Sequence, residues 1–163
     1  FDGRGRDKYE ERKLHDERDI SMSLRHPGVV QAIAAFKWAC GPETHRALVL
    51  EYCAGGNLEE RVAREECGLP IDLVLQYASE ILDALAYLHC KEVLHRDLSL
   101  DNVMLTTLNH CKLTDFGLST RTEAVTRLVG KPCYMAPEIL SHASHGVSSE
   151  EVYGPPADVF SFG

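Results

Sequence analysis

His95-Arg96-Asp97-Leu98-Ser99-Leu100-Asp101-Asn102 carries the strongest signal in the chain. Asp115-Phe116-Gly117 follows 13 residues after Asn102, and Ala136-Pro137-Glu138 comes later. One such tripeptide arises by chance. The longer pattern followed by both tripeptides, in this order, leaves little room for coincidence. Between the first two motifs, residues 103–105 and 111–114 read as short strands around a polar turn.

Upstream, residues 71–89 read as a long helix, with Pro70 and Asp72 near its start. Val74, Ala78, Ile81, Leu85 and Leu88 recur at helical spacing, and Ala84 and Ala86 widen that stripe, so much of this helix should be buried. Residues 58–64 read as a short helix. Residues 47–52 and 29–38 read as strands; Gly55-Gly56 stops the former, and Gly41-Pro42 makes a turn between them. Residues 6–25 read as a charged helix around Leu14, Ile20 and Leu24, ended by His26-Pro27-Gly28. From Leu118 to the terminal run Asp158–Gly163 the pattern is loop-like. There is no internal repeat or low-complexity tract.

With 163 residues, 44% hydrophobic and 26% charged, the composition is that of one ordinary globular domain. No stretch approaches the roughly 18 consecutive apolar residues of a membrane span. The net charge is −8, while the first 25 residues carry seven basic and seven acidic side chains. The acidic excess therefore lies in the rest of the chain, which argues against nucleic acid as the main partner. Cysteines stand at 40, 53, 67, 90, 111 and 133, with no Cys-x-x-Cys pair. Without a secretory signal they read as free thiols of a reducing compartment, and a cytoplasmic location is expected. Phe1-Asp2-Gly3-Arg4-Gly5 lacks Met and an apolar targeting core, so the chain is expected to begin inside a longer protein. His142-Ala143-Ser144-His145 has ligand-like spacing but no companion ligands, and reads as loop histidines.

The three motifs together resemble the eukaryotic protein kinase domain. Leu24-Arg25-His26-Pro27, Leu50-Glu51-Tyr52 before Gly55-Gly56, Tyr87-Leu88-His89 and Asp158-Val159-Phe160-Ser161-Phe162-Gly163 extend the likeness over essentially the whole chain. The resemblance implies an α+β, two-lobed protein-kinase-like fold, incomplete at both ends, from helix C to the start of helix F. Residues 1–53 would be the remainder of the N-lobe, with helix C and the hinge. Residues 54–163 would be the first part of the C-lobe, with the catalytic loop and activation segment. The implied activity is transfer of the γ-phosphoryl group of ATP to a protein hydroxyl. Tyr134-Met135-Ala136-Pro137-Glu138 resembles serine/threonine rather than tyrosine kinases, which usually carry tryptophan just before this motif.

A transferring phosphoryl group spreads negative charge over its oxygens, so catalysis is mostly positioning and charge stabilisation. By resemblance, Asp97 would accept the proton of the substrate hydroxyl. Asn102 and Asp115 offer hard oxygen ligands, which suit Mg²⁺. Glu17, nine residues before His26, would be the helix C glutamate that pairs with a phosphate-binding lysine; the plain alternative is an ion pair with Lys13, one turn back. That lysine and the phosphate-covering loop would precede the chain, because Gly3-Arg4-Gly5 stands too close to Glu17 to be the loop. Leu50-Glu51-Tyr52-Cys53 resembles the hinge, whose backbone binds the adenine edge, with Leu50 as gatekeeper. Met104 would lie under the adenine. Asn57 matches a ribose-contacting position or is simply the N-cap of the next helix. Arg96 would pair with a phosphate on the activation segment, where Thr120, Thr122 and Thr126 are candidates.

The chain departs from the family pattern at several points. Serine/threonine kinases usually place lysine two residues after the catalytic aspartate; here it is Ser99. The usual threonine after the glycine of the substrate-docking loop is Lys131. The cation is therefore expected to have moved, with Lys131 supplying the charge that Ser99 lacks. The normally apolar position four residues after Glu17 is Ser21; either Met22 substitutes for it or the helix docks weakly without a partner, and residues 138–158 look longer than usual. The rival to an enzyme is a pseudokinase, a scaffolding module without transfer, or a truncated product. The isolated chain, without the phosphate loop and its lysine, is expected to be inactive and to fold poorly.

Overall fold

The computed structural model describes residues 15–41, 43–121, 129–140 and 154–163. Helix α1 occupies 15–23, and β1 (Ala32–Cys40) and β2 (Glu43–Leu50) form an antiparallel hairpin. Helix α2 (Leu58–Ala63) and α3 (Ile71–Cys90) follow, then a 3₁₀ turn at Leu100–Asn102 leading into the antiparallel hairpin β3 (Val103–Leu105) and β4 (Cys111–Leu113). A 3₁₀ turn at Pro132–Tyr134, α4 at 137–140 and α5 (Pro155–Phe162) complete the described elements. The fold is α+β, with small antiparallel sheets among helices.

The apolar run expected as one strand over 29–38 is divided. Val29 forms a parallel bridge with Leu113: Val30 N–H donates to Leu113 O at 2.8 Å, and Leu113 N–H to Gly28 O at 2.8 Å. Only from Ala32 does the chain pair with β2. The second strand starts earlier than its apolar residues suggest and stops at Leu50, leaving Tyr52 89% exposed. Helix α3 matches its expected span to within a residue. Its inward face, however, is Tyr77, Ile81, Ala84, Leu85 and Leu88, while Val74 and Ala86 face outward. The stretch read as loop after Leu118 holds the second 3₁₀ turn, α4 and the start of α5. Residues 6–14 of the first expected helix, and the expected insertion over 141–153 with His142 and His145, lie outside the described residues.

The main core joins α1, α3 and the β3–β4 hairpin through Ile20, Leu24, Leu85, Leu88, Val103, Leu105 and Leu113. Each such side chain contributes about 1.5–3 kcal/mol by leaving water. Close approach of the 26–30 segment to α3 depends on Gly28, where a Cβ would stand 2.9 Å from that of Ala84. His26 stacks on Tyr87 with ring centroids 4.7 Å apart, and the Tyr87 hydroxyl accepts from Arg25 N–H at 2.8 Å. The N-terminal turns of α3 remain open to solvent, with Ile71 67% and Leu75 61% exposed. An apolar groove of about 290 Å³ runs between α2, α3 and α5. This core holds both ends of residues 93–103 through Val93 and Val103.

Candidate active site

A buried carboxylate anchors the loop. Asp158, on α5, is 2% exposed. Its Oδ2 accepts from the backbone N–H of His95 at 2.9 Å and lies 2.9 Å from His89 Nε2; its Oδ1 accepts from Arg96 N–H at 2.9 Å. Burial alone would raise this carboxyl, but the hydrogen bonds from His89 and the loop backbone outweigh it and hold the group below the usual range. His95 is fully buried. Its Nε2–H donates to Thr114 O at 3.0 Å, and its ring meets Phe116 at 5.4 Å between centroids. Desolvation drives its basicity down, against the pull of Asp158, so the ring stays neutral at ordinary pH. Arg96 adopts φ +66° and sends Nε–H to Leu118 O at 2.6 Å, tying its own loop to the segment after Asp115.

Asp97 leaves this clamp with its oxygens in unlike surroundings. The Asn102 amide donates to Asp97 O at 2.8 Å and to Oδ2 at 3.0 Å. Among the described residues Oδ1 is buried and has no hydrogen-bond partner. Lys131 Nζ stands 3.8 Å from Oδ2. The same ammonium reaches Ser99 Oγ at 2.6 Å and both oxygens of Asp101 at 2.7 Å, and the Ser99 hydroxyl donates to Asp101 Oδ1 at 2.7 Å. Desolvation would lower Lys131, but the bond to Asp101 and the nearby carboxylates Asp97, Asp101 and Asp115 raise it. Burial likewise works to raise Asp101, and Lys131 and Ser99 overcome it, holding that carboxyl low. Lysine 131 arrives there because Gly130 lets its backbone pass against Arg96.

The β3–β4 hairpin joins this centre to the Gly55-Gly56 turn. Thr114 N–H donates to Asn102 O at 3.0 Å, which sets Asp115 beside the loop. Asp115 is exposed, with φ +62° and Oδ1 accepting from Gly117 N–H at 3.1 Å. A Cβ built on Gly117 would lie 3.6 Å from Glu17 Oε2, so Glu17 faces the Asp115-Phe116-Gly117 turn from α1. Glu17, His15 and Arg18 also border a cavity of about 270 Å³ against β1 and β2. Ser21 is 4% exposed and Met22 is half-buried.

At the hairpin's other end, Leu105 N–H donates to Gly56 O at 2.8 Å and Gly55 N–H to Leu105 O at 2.9 Å. Met104 bridges Asn57, on the strand face opposite buried Val103 and Leu105. Asn57 Oδ1 accepts from Glu60 N–H at 2.8 Å, so the capping reading of Asn57 is realised. Glu51 spends its carboxylate internally, on Gln31 N–H at 2.6 Å and Lys112 Nζ at 2.7 Å. Cys53 is buried and Leu50 is 39% exposed. Thr120 pairs by backbone with Leu94, while Thr122 and Thr126 lie outside the described residues, as does Lys13.

The sequence reading missed Asp101 as the partner of Lys131, and Asp158 as the anchor of the loop. Asp101 had one signal, a carboxylate two residues from the serine whose lysine is displaced. Asp158 had another, a lone charge at the head of an apolar run.

Asp97, with one oxygen held by Asn102 and the other unpartnered among the described residues, sits between the β3–β4 hairpin and the Lys131 segment. The sequence model of the protein kinase domain matches residues 2–163, and the chain belongs to the protein kinase domain family. It is 36% identical over 148 residues to serine/threonine-protein kinase Nek6 of Oryza sativa subsp. japonica, covering 88% of this chain and 27% of that protein. It is 36% identical over 138 residues to serine/threonine-protein kinase RUNKEL of Arabidopsis thaliana, covering 82% of this chain and 10% of that protein. It is 32% identical over 164 aligned positions to the human hormonally up-regulated neu tumor-associated kinase, covering 97% and 21%. The chain thus spans about a quarter or less of the length of these relatives.

Proposed function

We propose that the protein containing this chain transfers the γ-phosphoryl group of ATP to a serine or threonine hydroxyl of a protein substrate, with Asp97 as general base. The observation that carries the reading is the Asp97 carboxylate: Asn102 orients it through Oδ2, Lys131 stands 3.8 Å from that oxygen, and Oδ1 has no partner among the described residues. A substrate hydroxyl brought to this carboxylate would give it its proton as the hydroxyl oxygen bonds to the γ-phosphorus and the bond to the departing ADP breaks. Lys131 stands beside the same carboxylate and would face the charge on the transferring group.

Asn102 and Asp115 fit a magnesium ion. The Asn102 amide nitrogen is committed to Asp97, leaving its carbonyl oxygen for a cation, and the Asp115 carboxylate is exposed beside it. Bound there, the metal would neutralise phosphate charge. With the Glu51 carboxylate engaged by Lys112, the stretch Leu50 to Cys53 would recognise adenine through its backbone, above Met104. Asn57, with its oxygen spent on the cap, would offer its amide N–H groups to a ribose. Glu17 would pair with a phosphate-holding lysine of the longer protein. The division into an N-lobe part at 1–53 and a C-lobe part at 54–163 belongs to the same reading. So does the cytoplasm, which suits six free thiols. No described helix is long and apolar enough to cross a membrane.

The test is full-length protein with Mg²⁺ and labelled ATP on an array of Ser, Thr and Tyr peptides. Label on serine or threonine is expected, with a loss of about 100-fold or more in Asp97→Asn. Tyrosine-only label, an unaffected Asp97→Asn, or nucleotide binding without transfer would each overturn the proposal, the last in favour of a scaffolding module.

A further inference from the structure

We propose that Asp101 is the positioning residue of Lys131: it grips the ammonium through both carboxylate oxygens and thereby keeps it off Asp97 Oδ2, the oxygen through which Asn102 orients the base. The inference rests on the reading of Asp97 as base and Lys131 as the cation at the reacting phosphate. The distances make the case. Lys131 Nζ is 2.7 Å from each oxygen of Asp101 and 2.6 Å from Ser99 Oγ, but 3.8 Å from Asp97 Oδ2. Ser99 completes the grip in a chemically consistent sense, accepting from Lys131 while donating to Asp101 Oδ1 at 2.7 Å.

Lysine is a point charge on a flexible four-carbon stem, and by itself holds no fixed place. Released from Asp101, its nearest other carboxylate is Asp97. Closing the remaining distance would set the ammonium against Asn102 Nδ2, which donates to that same Oδ2 at 3.0 Å and orients the base. Asp101 sits in the 3₁₀ turn directly before Asn102, so a single turn of backbone fixes both the orienter of the base and the holder of the cation. Ordinary surface ion pairs at such exposure (side chains 38% and 37% exposed) add little to stability. The function of this pair is therefore geometric, and it should be visible in turnover rather than in melting.

The experiment uses full-length protein carrying Asp101→Asn, Asp101→Glu, Lys131→Met and the Asp101→Asn/Lys131→Met pair. It measures kcat, KM for ATP, and the melting temperature without nucleotide. Asp101→Asn is expected to lower kcat about 10- to 100-fold with KM for ATP within about twofold, the scale of a small misplacement of a catalytic group. Asp101→Glu should recover most of the rate. Asp101→Asn should cost nothing further once Lys131 is Met, and the nucleotide-free melting temperature should move by about 2 °C or less. An unaffected kcat in Asp101→Asn, with Lys131→Met inactive, would overturn this inference and leave the Lys131 reading standing. Full activity in Lys131→Met would remove both. Additive losses, or a melting temperature that falls in step with kcat, would make Asp101 a structural residue and overturn the positioning role.

Discussion

A Cβ on Gly130 would stand 2.6 Å from the carbonyl oxygen of Arg96. Gly130 also has φ +103°, outside the range L-residues accept without strain. Both facts serve one end: the backbone before Lys131 passes directly against the catalytic loop, so a lysine from the docking segment reaches Asp101 and Asp97. Gly130→Ala should cost about 2 kcal/mol of stability from backbone strain. It should also lower kcat by more than the unfolded fraction explains, because the segment must back away from Arg96 and takes Lys131 with it. Paired measurements of melting temperature and kcat decide; a rate loss fully accounted for by unfolding would refute the linkage.

Asp158 and His95 predict how the domain responds to acid. The Asp158 carboxyl is depressed in the folded state, so its contribution is present above the ordinary value of 3.8 and is lost as pH falls through the folded one. His95 is depressed too, by burial, so the unfolded chain takes up its proton first, and stability declines once pH drops below about 6.5. Melting temperature should hold steady from about pH 8 to 7, fall below about 6.5, and fall further near 4. Asp158→Asn should cost about 3 kcal/mol at neutral pH, since it turns an amide N–H₂ towards donors from His95, Arg96 or His89, and should shrink the second decline, leaving the share of Asp101, Glu51 and Glu80, whose carboxyls are also held low. A wild-type curve flat down to about pH 5 would contradict the His95 account.

The proximity of Asp97, Asn102 and Asp115 was legible because it is local: they stand at fixed spacings and the hairpin between them is short. Helix α3 was legible because its apolar stripe repeats over many turns. Strand limits were not. Val29 and Val30 look like the start of β1, but their partner is Leu113, far along the chain, and no local pattern reveals that. His45 and Arg46 look unlike a strand, yet β1 supplies their pairing. Asp158 contacts residues up to 69 positions away, so its burial could not be read from its neighbours. The exchange between Ser99 and Lys131 was visible as paired departures, whereas the third member, Asp101, became apparent only from distances.

The thiols should separate by environment. Burial pushes the Cys111 thiol up to about 12, with Glu80 adding to it, and raises Cys53 as well. Cys40, Cys67, Cys90 and Cys133 are exposed. Because the thiolate is the reactive form, iodoacetamide at about pH 8 should label the exposed four at least about tenfold faster than Cys53 or Cys111 in folded protein. Mass spectrometry of digests reads this directly. Comparable labelling of Cys111 would mean that the β3–β4 hairpin opens far more readily than its packing implies.

The displaced cation can be moved back. If the reaction needs one ammonium at Asp97, its source along the chain is immaterial, provided it reaches the same point. Lys131→Thr should cost about 100-fold in kcat, the scale of removing one charge-stabilising donor. Ser99→Lys alone should bring no gain, because it sets a second ammonium against Lys131, which already reaches Ser99 Oγ at 2.6 Å. The Ser99→Lys/Lys131→Thr pair should restore kcat to within about fivefold of wild type, since the new lysine starts two residues from Asp97 and finds Asp101 free to receive it. Rescue of this kind cannot come from general repair of folding, because each single change is neutral or harmful by itself. Full-length variants assayed at saturating ATP give the answer. A double variant as slow as Lys131→Thr would mean that Lys131 acts through its own backbone position in the docking segment, and a Lys131→Thr protein as fast as wild type would mean that this centre works without the cation.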